Sequence, residues 1–299
     1  MFFLTGLALL AGCYVEDASD NPQLPLPYLT VAELFDSTRS EVQSFELDPT
    51  IENSIVSSKG SRFEIPANAF FNDLGNPAPG PIQLEITEAY LAVDMLLCGL
   101  TSSSPSQLWE SAGAFSVNAF KGGERLRLNE FIDAQLPTLS LVNKTDEYEL
   151  AYGEDVSSAF RWAKATDSSA VSLIPNEGFA VQFANSGWIN PYTTAFPSFS
   201  RTASLIAEPV EFGTILTDQA AYVIFKKNNC LAQLEFDGNF YNRESMPDGE
   251  EAFLIIIGMN RLQLYLGIKE IILNGETQVE VPLEQVTEEE LITEIESIQ

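Results

Sequence analysis

Apolar and polar residues alternate with a period of two along much of this chain. Arg62-Phe63-Glu64-Ile65, Ile82-Gln83-Leu84-Glu85-Ile86-Thr87, Phe115-Ser116-Val117-Asn118-Ala119 and Leu126-Arg127-Leu128 each give an extended segment one apolar and one polar face. That pattern predicts half-buried antiparallel strands. Turn chemistry separates them at Asn72-Asp73-Leu74-Gly75-Asn76-Pro77, Pro79-Gly80-Pro81 and Lys121-Gly122-Gly123-Glu124. Less regular segments follow at Leu139-Ser140-Leu141, Tyr148 to Tyr152, Phe160-Arg161-Trp162 and Phe179 to Phe183. Together they predict one β-sandwich over 46–200.

From residue 201 a second set of short apolar segments begins: Ala221 to Phe225, Leu231 to Phe236, Phe253 to Ile257, Gln263 to Leu266, Ile271 to Leu273 and Gln278 to Val281. Asn274-Gly275 predicts a hairpin between the last two. This density of strands suits an immunoglobulin-like sandwich over 201–286. The pattern then changes period. Thr287-Glu288-Glu289-Glu290 is a capping box, and Leu291, Ile292, Ile295 and Ile298 follow at helical spacing, so 287–299 is an amphipathic helix expected to dock on the second sandwich. The expected fold is all-β, two β-sandwich domains in tandem with a short C-terminal helix.

The N-terminus reads differently. Leu10-Ala11-Gly12-Cys13, after the apolar run Phe2 to Leu10, resembles the lipobox of a bacterial lipoprotein, which makes 1–12 a signal peptide and Cys13 the lipidated residue. The run is too short to span a bilayer, which takes about 20 residues. Phe253 to Met259 is only strand length and is flanked by charge. Attachment would therefore come from acyl chains on Cys13. Residues 13–45, acidic and then spaced by Pro22, Pro25 and Pro27, are expected to form a tether. The expected location is the outer membrane, lipid-anchored and exposed at the cell surface.

Charge and composition narrow the partners. With 43 acids against 15 bases the formal charge is −28, which excludes nucleic acid. The chain has no histidine, which removes Ser-His-Asp and Cys-His catalysis and the usual zinc sites. No phosphate-cradling glycine loop occurs, and Asp248-Gly249-Glu250-Glu251 suits a turn better than a cation loop. Beyond Cys13, Cys98 and Cys230 sit in apolar strand-like runs and are expected as buried free thiols. The sequence thus offers no catalytic, cofactor-binding or metal-binding residue. The alternatives are a carboxylate-dependent glycan hydrolase, which needs two converging acids, or a subunit of an envelope or export complex, which needs an apolar patch.

Gly60-Ser61-Arg62-Phe63-Glu64-Ile65-Pro66-Ala67-Asn68-Ala69-Phe70, then Gly75 and Gly80-Pro81-Ile82-Gln83-Leu84-Glu85-Ile86, resembles the opening of the β-sandwich of ankyrins and netrin receptors. A set of uncharacterised Bacteroidota surface lipoproteins carries this domain and is a closer likeness. It extends through Gly99-Leu100-Thr101-Ser102-Ser103, Leu108-Trp109-Glu110-Ser111-Ala112-Gly113-Ala114-Phe115 and a linker-like Gly187-Trp188-Ile189-Asn190. The resemblance covers about 50–285. Its motifs are architectural, with Phe70, Trp109 and Trp188 as core anchors. Some tandem domains of this type cut their own chain with a histidine and a serine beside a phenylalanine; Phe196-Pro197-Ser198-Phe199-Ser200 supplies only phenylalanine and serine. The expected function is that of a non-catalytic structural or binding module whose partner, besides the membrane, is an envelope protein or a glycan.

Overall fold

The computed structural model describes residues 25–104, 107–137, 148–156, 159–196, 201–210 and 215–298, which form an all-β protein with three short helices. Strands before residue 195 pair only with one another, as do those after 201. In the first half, sheet A has eight strands and runs through Gln43–Leu47, Ile82–Ala89, Ala114–Lys121, Gly187–Thr194, Glu149–Val156 and Ala159–Lys164. Sheet B opposes it with Ala170–Ile174, Gly178–Phe183, Ile132–Leu136, Arg62–Ile65 and Asn53–Val56. The alternation decides the pairing of faces: Leu84, Ile86, Val117 and Ile189 of sheet A meet Ile65, Ile132 and Val181 of sheet B in a first core. Phe115 sets its edge against Phe63 and Phe183, at centroid distances of 5.7 and 5.5 Å.

The second half pairs sheet C (Glu235–Phe236, Tyr241–Pro247, Thr202–Val210 and Glu276–Pro282) with sheet D (Leu231–Gln233, Asp218–Phe225, Glu251–Met259, Leu264–Ile272 and Glu284–Val286). Leu205, Tyr241 and Met246 face Val223, Leu254 and Ile256 in a second core. Here two expectations fail. Asn274-Gly275 is not a hairpin turn: Leu264–Ile272 lies in sheet D, whereas Glu276–Pro282 pairs in parallel with Thr202–Val210 of sheet C. A tight crossing between sheets needs the same residues as a hairpin, and Gly275 supplies φ +57°. Gln263–Leu266 and Ile271–Leu273 are likewise one continuous strand from Leu264 to Ile272. A Cβ at its Gly267 would come within 2.6 Å of Val281 Cγ1, so the glycine permits close contact with the segment that follows.

Sheet D is buried on both faces. Val223, Leu254 and Ile256 point into the second core, while Tyr222, Ile224, Ile255 and Ile257 point the other way into a third. That third core joins the two sandwiches. Against sheet D it packs the outer face of sheet A, with Ala151, Trp162 and Tyr192, and all three helices.

The helices account for the remaining corrections. Residues 25–45 are not tether: α1 (Val31–Thr38) buries Val31, Leu34 and Phe35, and Leu26 N donates to Arg261 O at 3.0 Å. Thr30 caps α1, its Oγ1 accepting from Glu33 N at 3.1 Å. Residues 13–24 lie outside the described residues. The run before Cys98 is helical, not a strand: α2 (Ala92–Leu97) starts where Asp94 Oδ2 accepts from Tyr90 N and Leu91 N, at 3.0 and 3.2 Å. The C-terminal α3 (Glu288–Glu296) has the expected capping box, with Thr287 N donating to Glu290 Oε2 at 2.7 Å. Its Leu291, Ile295 and Ile298 enter the third core and reach α2 of the first sandwich as well as the second. Burial of this kind contributes about 1.5–3 kcal/mol per large aliphatic side chain. Gly187-Trp188-Ile189-Asn190 is no linker but the start of a central strand of sheet A.

Polar bonds fix the junction. The buried Asn229, in the turn between Asp218–Phe225 and Leu231–Gln233, accepts from Ala92 N at 2.7 Å and donates to Tyr90 O and Ser111 O at 2.7 and 2.9 Å. Ser111 N returns a bond to Asn229 O at 2.9 Å. Beside it Leu231 N donates to Ser102 Oγ at 2.7 Å. Truncation would leave buried groups unpaired at about 1–3 kcal/mol. Asn229→Ala is expected to lower the melting temperature by several degrees in differential scanning calorimetry, whereas substitution of the exposed Asn239 leaves it unchanged.

Cys98 and Cys230 are free and buried, Cys98 in the third core and Cys230 in the second. Burial pushes the Cys230 thiol up to about 12. At pH 8 only about one thiol in ten thousand would then be thiolate, the reactive form. Cys230 in the folded protein should therefore resist iodoacetamide at pH 8, and denaturation without reductant should expose both thiols to labelling, counted by mass spectrometry. A linked Cys98–Cys230 peptide pair would refute this.

Candidate functional site

The third core covers only part of sheet A's outer face. Trp109 and Tyr192, stacked at 4.0 Å, and Trp162 lie beneath the cover. Phe160 and Trp188, which pack against the edge of this core and are only partly buried, lead on to the polar Thr87, Ser116 and Asn118 of the same face. Two cavities of about 600 and 470 Å³ open there and share Arg39, Phe160 and Trp188, so they adjoin as two parts of a groove. The larger lies between the sandwiches and reaches Asp218 and Tyr222 of sheet D; the smaller runs over sheet A. Both volumes fall in the range of ligand pockets, about 300–1,000 Å³.

The aromatic floor depends on one small residue. A Cβ at Gly153 would lie 2.7 Å from Phe160 Cε2 and 2.8 Å from Trp188 Cβ, so glycine alone lets the two rings lie close over the sheet. Phe160 stands edge-on to Trp162 at 4.9 Å, and Trp162 is fixed by donating Nε1–H to Thr101 O. Asn118 Nδ2 donates to Ser116 Oγ at 3.0 Å, while its buried Oδ1 has no hydrogen-bond partner among the described residues.

Carboxylates at the groove are already engaged. Asp218 Oδ2 accepts from Val31 N at 2.7 Å, Asp36 pairs with Arg39 at 2.7 Å, and Glu85 accepts from Gln83 at 3.1 Å. Nothing here sets a free acid opposite a free base. Arg125 makes no ion pair among the described residues, although acids outnumber bases almost threefold.

A second cluster, around Glu88, is closed. Its buried carboxylate accepts from Ser57 Oγ at 2.6 Å, Tyr90 OH at 2.5 Å and Gln43 Nε2 at 3.0 Å, with Ser61 hydrogen-bonded to the same phenol. Burial, then the charge of Glu88, holds the Tyr90 phenol protonated far above neutral pH. Ser57, Ser61, Glu88 and Tyr90 are all buried, so the cluster ties the end of the first sandwich together and presents nothing to a ligand.

Of the residues singled out by sequence, Cys13 and Pro197 to Ser200 lie outside the described residues, as does Leu139-Ser140-Leu141. Phe70 and Trp109 are buried anchors, whereas Trp188 packs against the third core only in part and also lines the groove. Phe196 packs on Phe225 at 4.8 Å. Asp248-Gly249 is a turn, with Asp248 Oδ1 occupied by Gly275 N at 2.8 Å. Among the described residues no three acids or cysteines gather as a metal site, and no helix is long and apolar enough to cross a membrane. No family model and no curated protein sequence matches this chain.

Gly153→Val should displace Phe160 and Trp188 and make the groove shallower. Because the two rings then lose their packing, a melting temperature several degrees lower is expected, together with a red-shifted tryptophan emission as Trp188 gains solvent.

Proposed function

We propose that this is a lipid-anchored protein of the outer envelope, held by acyl chains on Cys13, and that its paired sandwiches act as a non-catalytic binding module. The observation that carries the reading is the groove: a half-covered aromatic face with polar walls, built on strands of a sheet fixed by two cores. Rigid strands hold such a surface better than loops do. A glycan hydrolase has less support, since Asp36, Glu85 and Asp218 are engaged by a guanidinium, a side-chain amide and a backbone amide. The all-β fold accords with the likeness to Bacteroidota surface lipoproteins. Immunoglobulin-like topology for the second sandwich belongs to the same proposal.

Cys13→Ser tests the anchor. Acyl burial is worth about 0.8 kcal/mol per CH₂, and the described residues offer no apolar helix in its place. The variant should fold with an unchanged melting temperature yet leave the membrane fraction, and wild-type protein should carry acyl mass on the peptide that begins at Cys13. An unmodified Cys13, or a variant still held in the membrane, would overturn the reading.

A further inference from the structure

We infer that the groove takes a neutral carbohydrate chain, an inference that rests on reading the groove as a binding face. Three observations converge. First, Phe160 and Trp188 both line the two cavities beside Gly153, which puts two aromatic side chains on the floor where the sheet otherwise presents hydroxyls and amides. A sugar ring has a matching division, with C–H groups on its faces and hydroxyls around its rim. Aromatic rings bind the former and polar side chains the latter.

Second, Asn118 holds a carbonyl oxygen that no donor reaches among the described residues. Its amide nitrogen is committed to Ser116, and the residue lines the smaller cavity and is only partly covered. Alternation confirms the direction: Val117 and Ala119 enter the first core, which places Ser116 and Asn118 on the groove side. An unpaired buried acceptor is costly, and a hydroxyl donor relieves it.

Third, the two cavities adjoin at Arg39, Phe160 and Trp188, an arrangement of neighbouring subsites that suits a chain rather than a single ring. Charge selects neutral over acidic sugars. The protein carries −28, and Arg39 is already paired with Asp36, which among the described residues leaves Arg125 as the one cation lining the groove with no ion pair, against the field of the whole molecule. A peptide is the competitor, since Ala159–Lys164 is an edge strand beside the groove. It is disfavoured because the floor lies on the face of the sheet, not along its edge.

The test is isothermal titration calorimetry of the full-length protein, solubilised in a detergent without a sugar headgroup. Probes are cellohexaose, xylohexaose, maltohexaose, mannohexaose and, as the acidic arm, oligogalacturonate. Saturable binding of at least one neutral probe is expected. Trp188→Ala and Phe160→Ala should each weaken it at least about tenfold, Asn118→Ala severalfold, and Trp188→Phe least. Melting temperatures of all variants separate lost binding from lost folding. Failure of every neutral probe at millimolar concentration, binding indifferent to Trp188→Ala, or preference for oligogalacturonate overturns the inference. If displayed peptides bind instead and Trp188→Ala abolishes that binding, the groove remains a binding face and only the carbohydrate assignment falls. If neither class binds and Trp188→Ala merely lowers the melting temperature, both readings fall.

Discussion

The structure depends on sheet D being buried on both of its faces. An antiparallel sheet usually turns one face to solvent, yet Tyr222, Val223, Ile224 and Phe225 are all buried in succession, and so are Leu254 to Ile257. Alternate residues serve different cores, one internal to the second sandwich and one shared with the first. A slip of one residue in the register of these strands would exchange the two sets. Asn229 and Ser102 add direction to this apolar contact, because their hydrogen bonds admit one alignment of the two sandwiches.

Two-sided burial also explains what could be read in the sequence. Strands with one wet face, such as Arg62–Ile65, declare themselves by alternation. Asp218–Phe225 and Glu251–Met259 do not alternate, and only their length and flanking charges mark them as strands. The same ambiguity hid α2, since Met95-Leu96-Leu97-Cys98 is apolar on every side and so shows no helical stripe. For α1 a signal existed and was masked by the neighbouring prolines: Thr30 and Glu33 are spaced as cap and N3, and Val31, Leu34 and Phe35 follow at helical intervals.

The groove was illegible for another reason. Its floor joins Gly153, Phe160 and Trp188, and its walls draw on Arg39, Thr87 and Asn118, so no stretch of chain contains a recognisable spacing. Trp188 read as a core anchor because a tryptophan in a strand usually is one. Whether an aromatic residue is covered depends on how far the neighbouring sandwich reaches across sheet A, a tertiary quantity. Trp162 is covered, whereas Trp188 packs on the third core only in part.

The placement of α1 carries a consequence for biogenesis. This helix lies near the start of the chain, but the surface that receives Val31 and Phe35 includes Tyr222 and Asp218, residues made almost two hundred positions later. Such sequence-distant closure is slow, because loop entropy is lost before contacts repay it. A chain emerging N-terminus first therefore cannot finish seating its first helix when that helix appears. Leu97 and Gly99 reach α1 early, but the rest of its cover waits for the final third of the polypeptide, so the order of emergence and the order of consolidation run in opposite directions.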